Sequence, residues 1–237
     1  MTEMEAFFRL HDGLEREGPG SAEDVAWAAA LAGVPRNARV LDAGCGAGAD
    51  VPALLAAAPE GHVVAVDAHE PFVERVRAAH AGDPRVSARA GDMLEPEGPF
   101  DLIWSAGAVY FRGIATALAG WREALAPGGA VAFSEPCFFV DTPSEGARAF
   151  WDGYETLSEA ELARAVEDAG YRTLGARRLS DEAWEAYYDP LDVRVALLRP
   201  GADAALSAAL DESETEAAGW RAHRRETGYL LMVAVPR

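Results

Sequence analysis

From Ala38 onward, short apolar runs alternate with longer stretches whose apolar residues recur at helical spacing. ARVLDA (38–43), HVVAVDA (62–68), RVSARAGD (85–92), FDLIWSAG (100–107) and AVAFSEP (130–136) read as strands. They are short, mostly apolar, and bounded by glycines or acids. Residues 49–58, 71–81 and 114–126 read as helices, the last stopped by Pro127-Gly128-Gly129. SEAELARAVEDAG (158–170) adds a helix with a serine cap and a glycine stop. YRTLGARRL (171–179) and GYLLMVAVP (228–236) are two further strands. Strands alternating with helices predict an α/β fold, a mostly parallel sheet with helices on both faces.

Two segments stand outside this alternation. Residues 1–37 precede the first strand and contain a helical stretch, AEDVAWAAALAG (22–33). Residues 180–227 separate the last two strands and carry the aromatics Trp184, Tyr187, Tyr188 and Trp220. No stretch is long or polar enough to act as a domain linker. One domain over 1–237 is therefore expected: a core at 38–179, an insert at 180–227, a closing strand at 228–237 and helical residues 1–37 ahead of them.

Composition narrows the function. Half of the 237 residues are apolar, which suits a packed globular chain. The formal net charge of −18 opposes binding to nucleic acid or to an anionic membrane, both of which call for a basic surface. No apolar run reaches the roughly 18 residues of a membrane span. MTEMEAFFRLHDG lacks a basic start followed by an apolar block, so no signal peptide is expected. Two cysteines, Cys45 and Cys137, suggest no disulfide framework and fit a reducing cytoplasm. No Cys/His cluster has zinc spacing, and no metal is expected.

The candidate chemistry lies in VLDAGCGAGAD (40–50). A glycine loop between strand and helix suits a nucleotide-like ligand. Gly44-Cys45-Gly46-Ala47-Gly48-Ala49 satisfies the dinucleotide fingerprint, and Asp67 follows as an acid for a ribose. A nicotinamide-dependent oxidoreductase is thus one reading. Other residues favour a different ligand. Asp42, two positions before Gly44, would repel a pyrophosphate and attract an ammonium group. Gly48 extends the pattern so that the backbone could approach a ligand at three alternate positions. Asp92, in Gly91-Asp92-Met93, could accept a hydrogen bond from an exocyclic amine, with Met93 packed on the ring. LAPGGAVAF (125–133) places a tight turn before the fifth strand.

VLDAGCGAG, VVAVDA, AGDM, FDLIWS and LAPGGAVAFSE together resemble class I S-adenosylmethionine (SAM)-dependent methyltransferases over roughly residues 38–136. The resemblance implies a Rossmann-like sheet of seven strands, the last antiparallel between the fifth and sixth. It implies that Gly44, Cys45, Gly46 and Gly48 hold the methionine part of SAM and that Asp42 helps fix its amino group. Asp67, with Ala68 beside it, would take the ribose hydroxyls, and Asp92 with Met93 the adenine. Ser105 and Ala106 would line the pocket beside the methyl group. S-adenosylhomocysteine (SAH) would be the product.

The acceptor is less constrained. The Asn/Asp-Pro-Pro-Tyr/Phe signature of amino-methylating DNA enzymes is absent after the fourth strand, where SAGAVYF stands. Cys137 resembles the nucleophile position of some RNA cytosine methyltransferases, but it lies among acids and aromatics on an acidic chain. A small-molecule acceptor is the remaining expectation. FFRLHDGLEREGPGS (7–21), with its Gly18-Pro19-Gly20 turn, is expected to fold over the cofactor as a lid. That segment, WEAYYDP (184–190) and WRAHRRETGYLLMVA (220–234) resemble a branch of bacterial small-molecule methyltransferases. Tyr110, Phe111, Trp151, Trp184, Tyr187 and His223 are the candidates for the acceptor pocket. No catalytic residue is assigned, and a SAM-binding protein without catalysis remains an alternative. The oligomeric state is open, with a homodimer among the options.

Overall fold

The computed structural model describes residues 1–237. Strands β1 (Arg39–Ala43), β2 (His62–Asp67), β3 (Val86–Ala90), β4 (Phe100–Ser105) and β5 (Leu125–Phe138) follow one another along the chain. A two-residue β6 (Leu157–Ser158), then β7 (Tyr171–Arg178) and β8 (Thr227–Pro236), complete the sheet. The spatial order is β3-β2-β1-β4-β5-β8-β7, with β6 paired to the end of β5. β1 to β5 are parallel, whereas β8 runs antiparallel to both β5 and β7. Apart from the short β6, this is the sheet that the resemblance implies, including the antiparallel last strand.

The helices cover both faces. α1 (Glu3–His11), α2 (Ala22–Ala32), α3 (Val51–Ala57) and α4 (Glu70–Ala79) come early in the chain. α5 (Ile114–Arg122), α6 (Glu145–Phe150) and α7 (Glu159–Asp168) follow. The expected insert is a pair of long helices, α8 (Asp181–Leu198) and α9 (Ala204–His223). Local chemistry fixes their starts. Ser158 and Glu161 form a reciprocal capping box at α7, and Ser180 and Asp203 cap α8 and α9 through the amides of Ala183 and Leu206.

Strand alternation splits the core into two layers. Val40, Leu102, Trp104 and Ala132 face one layer, which α1, α2, α3, α8 and α9 complete. Leu41, Ile103, Val131 and Phe133 face the other, closed by α5 and α7. In β8 the same rule sends Tyr229, Leu231 and Val233 to the first layer and Leu230, Met232 and Ala234 to the second.

Two sequence expectations need correction. The helix expected over 114–126 stops at Arg122, because Leu125 is already paired with Phe100 of β4. LAPGG is not a turn ahead of β5 but part of it. The register jumps from Phe100↔Leu125 to Leu102↔Ala130, so residues 126–129 are accommodated as an irregularity within the strand.

Candidate active site

β1 and β4 are neighbours, but the chain leaves β1 toward β2 and β4 toward β5. At such a switch point the loops beyond the strand ends diverge and open a crevice. A cavity of about 1470 Å³ lies there, lined by Asp42 and by residues 44–47, 49 and 50 at the end of β1, by Asp67 and Ala68 at the end of β2, and by Gly91–Met93 after β3.

The glycine loop is tied to β2. Gly44 and Cys45 donate their amides to the Val66 carbonyl at 2.8 and 3.0 Å. Gly46 donates to Asp67 Oδ2 at 2.9 Å, and His69 donates to Asp67 Oδ1 at 2.8 Å. Asp67 therefore buttresses the loop as well as facing the cavity. Gly44 has φ +77°, and a Cβ there would sit 2.7 Å from the Ala108 Cβ and 3.5 Å from the Met93 sulfur. Only a residue without a side chain lets the ends of β1, β3 and β4 converge so closely.

Asp42 ends β1 on the same face as Val40 and is 2 % exposed. Its Oδ2 atom has no hydrogen-bond partner in the protein. Burial pushes its carboxyl well above the ordinary aspartate value, and the neighbouring Asp50 adds to the rise, against an opposing effect of Arg16. Asp50 itself is fully engaged. Its Oδ1 accepts from Arg16 Nη1 and Nη2 at 2.8 and 2.9 Å, and its Oδ2 accepts from Trp104 Nε1 at 2.8 Å. Asp92 accepts from the Leu94 amide at 2.9 Å and from Arg112 Nη2 at 2.8 Å. The Leu94 bond foremost, with Arg112, holds its carboxyl below the ordinary range.

Most of the residues expected at the site line the cavity: Asp42, Gly44, Cys45, Gly46, Asp67, Ala68, Asp92, Met93 and Ala106. Two do not. Gly48 faces α4, where a Cβ would come within 2.7 Å of Val76 Cγ2, so it serves helix packing rather than close approach to a ligand. Ser105 is fully buried and donates its hydroxyl to the Ala43 carbonyl at 2.7 Å, bracing β4 against β1. Cys45 is held as a thiol, since burial beside Asp42 and Asp67 raises it far above its ordinary value.

The far wall comes from the loops after β4 and α6 and from the insert helices α8 and α9. Tyr110, Phe111, Trp151, Trp184, Tyr187 and His223 all line it. Phe111 is 64 % exposed and lies at the rim, whereas Trp184 is 3 % exposed. His223 Nδ1 lies 3.3 Å from Ser144 Oγ and 3.4 Å from Glu226 Oε1.

Sequence reasoning missed several residues of this wall. His11 lines the cavity, its Nδ1 2.8 Å from Glu17 Oε2, with Phe7 stacked on its ring at 4.1 Å. Glu17 Oε1 is buried without a hydrogen-bond partner, and Glu17 lies against Gly46. Glu216 accepts from the Tyr188 hydroxyl at 2.9 Å. Tyr229 packs between Gly107 and the rings of Trp151 and Trp184. Alternation along GYLLMVAVP is a signal that groups Tyr229 with Leu231 and Val233. His11, Arg16 and Glu17 carry no local signal, because their partners are brought in by folding.

Residues 40–129 match the family model of a methyltransferase domain. No curated protein sequence matches the chain. Among solved structures, a SAM-dependent methyltransferase from Geobacter sulfurreducens, in complex with SAH, superposes with a TM-score of 0.82 at 19% identity, over 98% of each chain. One from Thiobacillus denitrificans, also with SAH, gives 0.81 at 20% identity over 98% of each chain. YjhP from E. coli gives 0.81 at 20% identity, over 98% of this chain and 99% of its own. At these identities the likeness establishes the fold.

Proposed function

We propose that this chain, which has the fold of class I SAM-dependent methyltransferases and a methyltransferase-domain match over residues 40–129, transfers a methyl group from SAM to a small molecule. The observation that carries the reading is one continuous cavity joining the glycine loop, Asp67 and Asp92 to an aromatic wall. Its volume of about 1470 Å³ exceeds the ~300–1,000 Å³ of a single-ligand pocket and leaves room for a cofactor and an acceptor together.

The residues present fit SAM. Asp42 Oδ2 and Glu17 Oε1 are buried oxygens without a hydrogen bond beside the glycine loop, Glu17 having only Arg75 at 3.8 Å, and an ammonium group would satisfy them. A pyrophosphate carries no donor for the buried Asp42, which favours SAM over a dinucleotide. Asp67 already accepts two backbone amides, but each carboxylate oxygen has a second lone pair for a ribose hydroxyl. Asp92, which lines the cavity after β3, would take an adenine amine. Bound there, SAM supplies an activated methyl group on a sulfonium that departs as a neutral thioether.

The chain's own part is to bind, orient and exclude water. Loop residues 44–47 set one end of the cavity. The N-terminal segment closes over it, pinned by the Arg16–Asp50 pair and by Glu17 against Gly46. Tyr110 and Tyr229 are kept neutral by burial, which raises both hydroxyls, so they orient an acceptor by hydrogen bonding rather than as bases. With Nδ1 held by Glu17, His11 offers Nε2 as a site for a proton leaving an acceptor. Proximity and alignment supply the rest of the acceleration.

Calorimetry tests the reading. SAH is expected to bind and to raise the melting temperature, while NAD and NADH do neither. Stabilisation by a dinucleotide without any by SAH would replace this function with an oxidoreductase. Binding of SAH without transfer to any acceptor would favour a SAM-binding protein instead.

A further inference from the structure

The acceptor half of the cavity is formed by α1, α6, α8, α9 and the start of β8, which the glycine loop does not touch. Its charges are mostly negative. Glu3, Asp152, Asp211, Glu212 and Glu216 line it beside His11 and His223, and the arginines of the cavity, Arg16 and Arg112, lie on the loops after α1 and β4. Arginines are not scarce on the same helices: Arg148 is on α6, Arg194 on α8 and Arg221 on α9. Each is directed elsewhere. Arg148 bonds the Pro143 carbonyl, Arg194 the carbonyls of Arg9 and Leu10, and Arg221 the carboxylates of Glu185 and Asp192.

A second, independent feature is the aromatic wall. The rings of Trp184 and Trp220 stack at 5.0 Å, and Trp151 and Tyr229 stack at 5.6 Å. Trp151, Trp184 and Tyr229 present what surface they retain to the cavity. Aromatic faces are negative and attract a cation, most strongly where water is excluded. Glu216 joins this wall through Tyr188, whose ring stacks on that of Trp184 at 5.9 Å. Tyr188, 1 % exposed, donates its hydroxyl to Glu216 Oε1 and so orients the carboxylate. Glu216 is exposed overall, and packing around its carboxyl raises it above the ordinary value, against the opposing effects of the Tyr188 bond and of His11. A carboxylate held in this way gains from a positive ligand.

We infer that the acceptor half of the cavity recognises an organic ammonium group, seated against Trp151, Trp184 and Tyr229 with Glu216 as its counter-charge. This inference rests on the proposed SAM reading, because it assigns the other half of the cavity to the cofactor. An anionic acceptor would meet these carboxylates, of which only Asp211 already has an arginine partner, Arg199, and a neutral one would gain nothing from Glu216.

The test titrates the SAH complex with phenethylamine, with its neutral counterpart 2-phenylethanol and with the anion 3-phenylpropanoate. Phenethylamine is expected to bind about tenfold more tightly than the alcohol, the scale of a desolvated cation–aromatic contact. In Glu216→Gln, which keeps an acceptor for Tyr188 but removes the charge, that preference should shrink while SAH affinity stays the same. Equal binding of amine and alcohol, tighter binding of the carboxylate, no binding of any probe, or an unchanged preference in Glu216→Gln overturns the inference and leaves the SAM reading standing. Failure of SAH itself to bind would sink the cofactor reading, and this inference with it.

Discussion

Asp67 shows how a single residue carries two tasks. Its carboxylate accepts the amides of Gly46 and His69, and it also lines the cavity. Asp67→Ala therefore removes loop anchors as well as ligand bonds. SAH affinity is expected to fall by about 1–3 kcal/mol, with a smaller loss of folding stability, and Asp67→Asn should recover part of both. Calorimetry on folded variants checks this, and an unchanged SAH affinity would refute it. The cysteines are expected to be inert. Burial pushes the Cys137 thiol up to about 12 and Cys45 higher still, so neither forms an appreciable thiolate near neutral pH. Native protein should resist alkylation by iodoacetamide at neutral pH, and Cys45→Ser and Cys137→Ser should bind SAH normally. Rapid labelling of Cys137 would revive a nucleophilic role. That Asp42, Gly44, Asp67 and Asp92 line one cavity was legible because each sits at or just beyond the end of a recognisable strand. Ser105 and Gly48 were misread for one reason. A residue beside a site in sequence can point away from it, toward Ala43 in the first case and Val76 in the second.

Among the elements, the alternating core was the legible part, because strand and helix periods are local properties of the chain. The errors fell where tertiary pairing overrode local signals, as when Leu125 paired with Phe100 ahead of the Pro-Gly-Gly sequence. The N-terminal segment was legible only as apolar groups needing a place. Ala6, Leu10 and Leu14 have that place in the first core layer, and α1 packs on α8 and α9. Deleting the segment would thus expose core surface as well as open the cavity. A point variant separates the two effects. Arg16, on the loop after α1, is 15% exposed at its side chain and pairs with Asp50, which is 7% exposed. Arg16→Ala leaves that carboxylate buried with only the Trp104 bond, and breaking such a pair costs about 3–5 kcal/mol. Denaturant unfolding should show the loss, and SAH affinity should fall as the loop loosens. Arg16→Ala with Asp50→Asn should regain much of the stability, because no charge is left behind. Equal stability of the single and double variants would show that the pair does not hold the loop.

For the molecule as a whole, the chain carries a formal charge of −18 and also buries acids inside the fold. Both make stability depend on pH, and in the same direction. Glu135, on β5, is 4 % exposed, and its Oε1 has no partner. Burial pushes its carboxyl up to about 8 from an ordinary 4.5, with the Glu155 charge adding to the rise. The native state therefore holds a proton that the unfolded chain releases between those values. Wherever the native state binds more protons, stability falls as pH rises. The contribution of Glu135 is fully present below about 4.5 and is lost as pH climbs toward about 8, at up to about 1.4 kcal/mol per pH unit. Mutual repulsion of surface acids adds a similar trend, but it is screened by salt, whereas a buried group is screened much less. The two are separable by urea unfolding across this range in low and high salt. Added salt should flatten only part of the decline. Glu135→Gln should remove most of what remains and should be more stable than the parent near pH 8. A decline abolished by salt alone, or one unchanged in Glu135→Gln, would assign the pH dependence to the surface and leave Glu135 without a thermodynamic role.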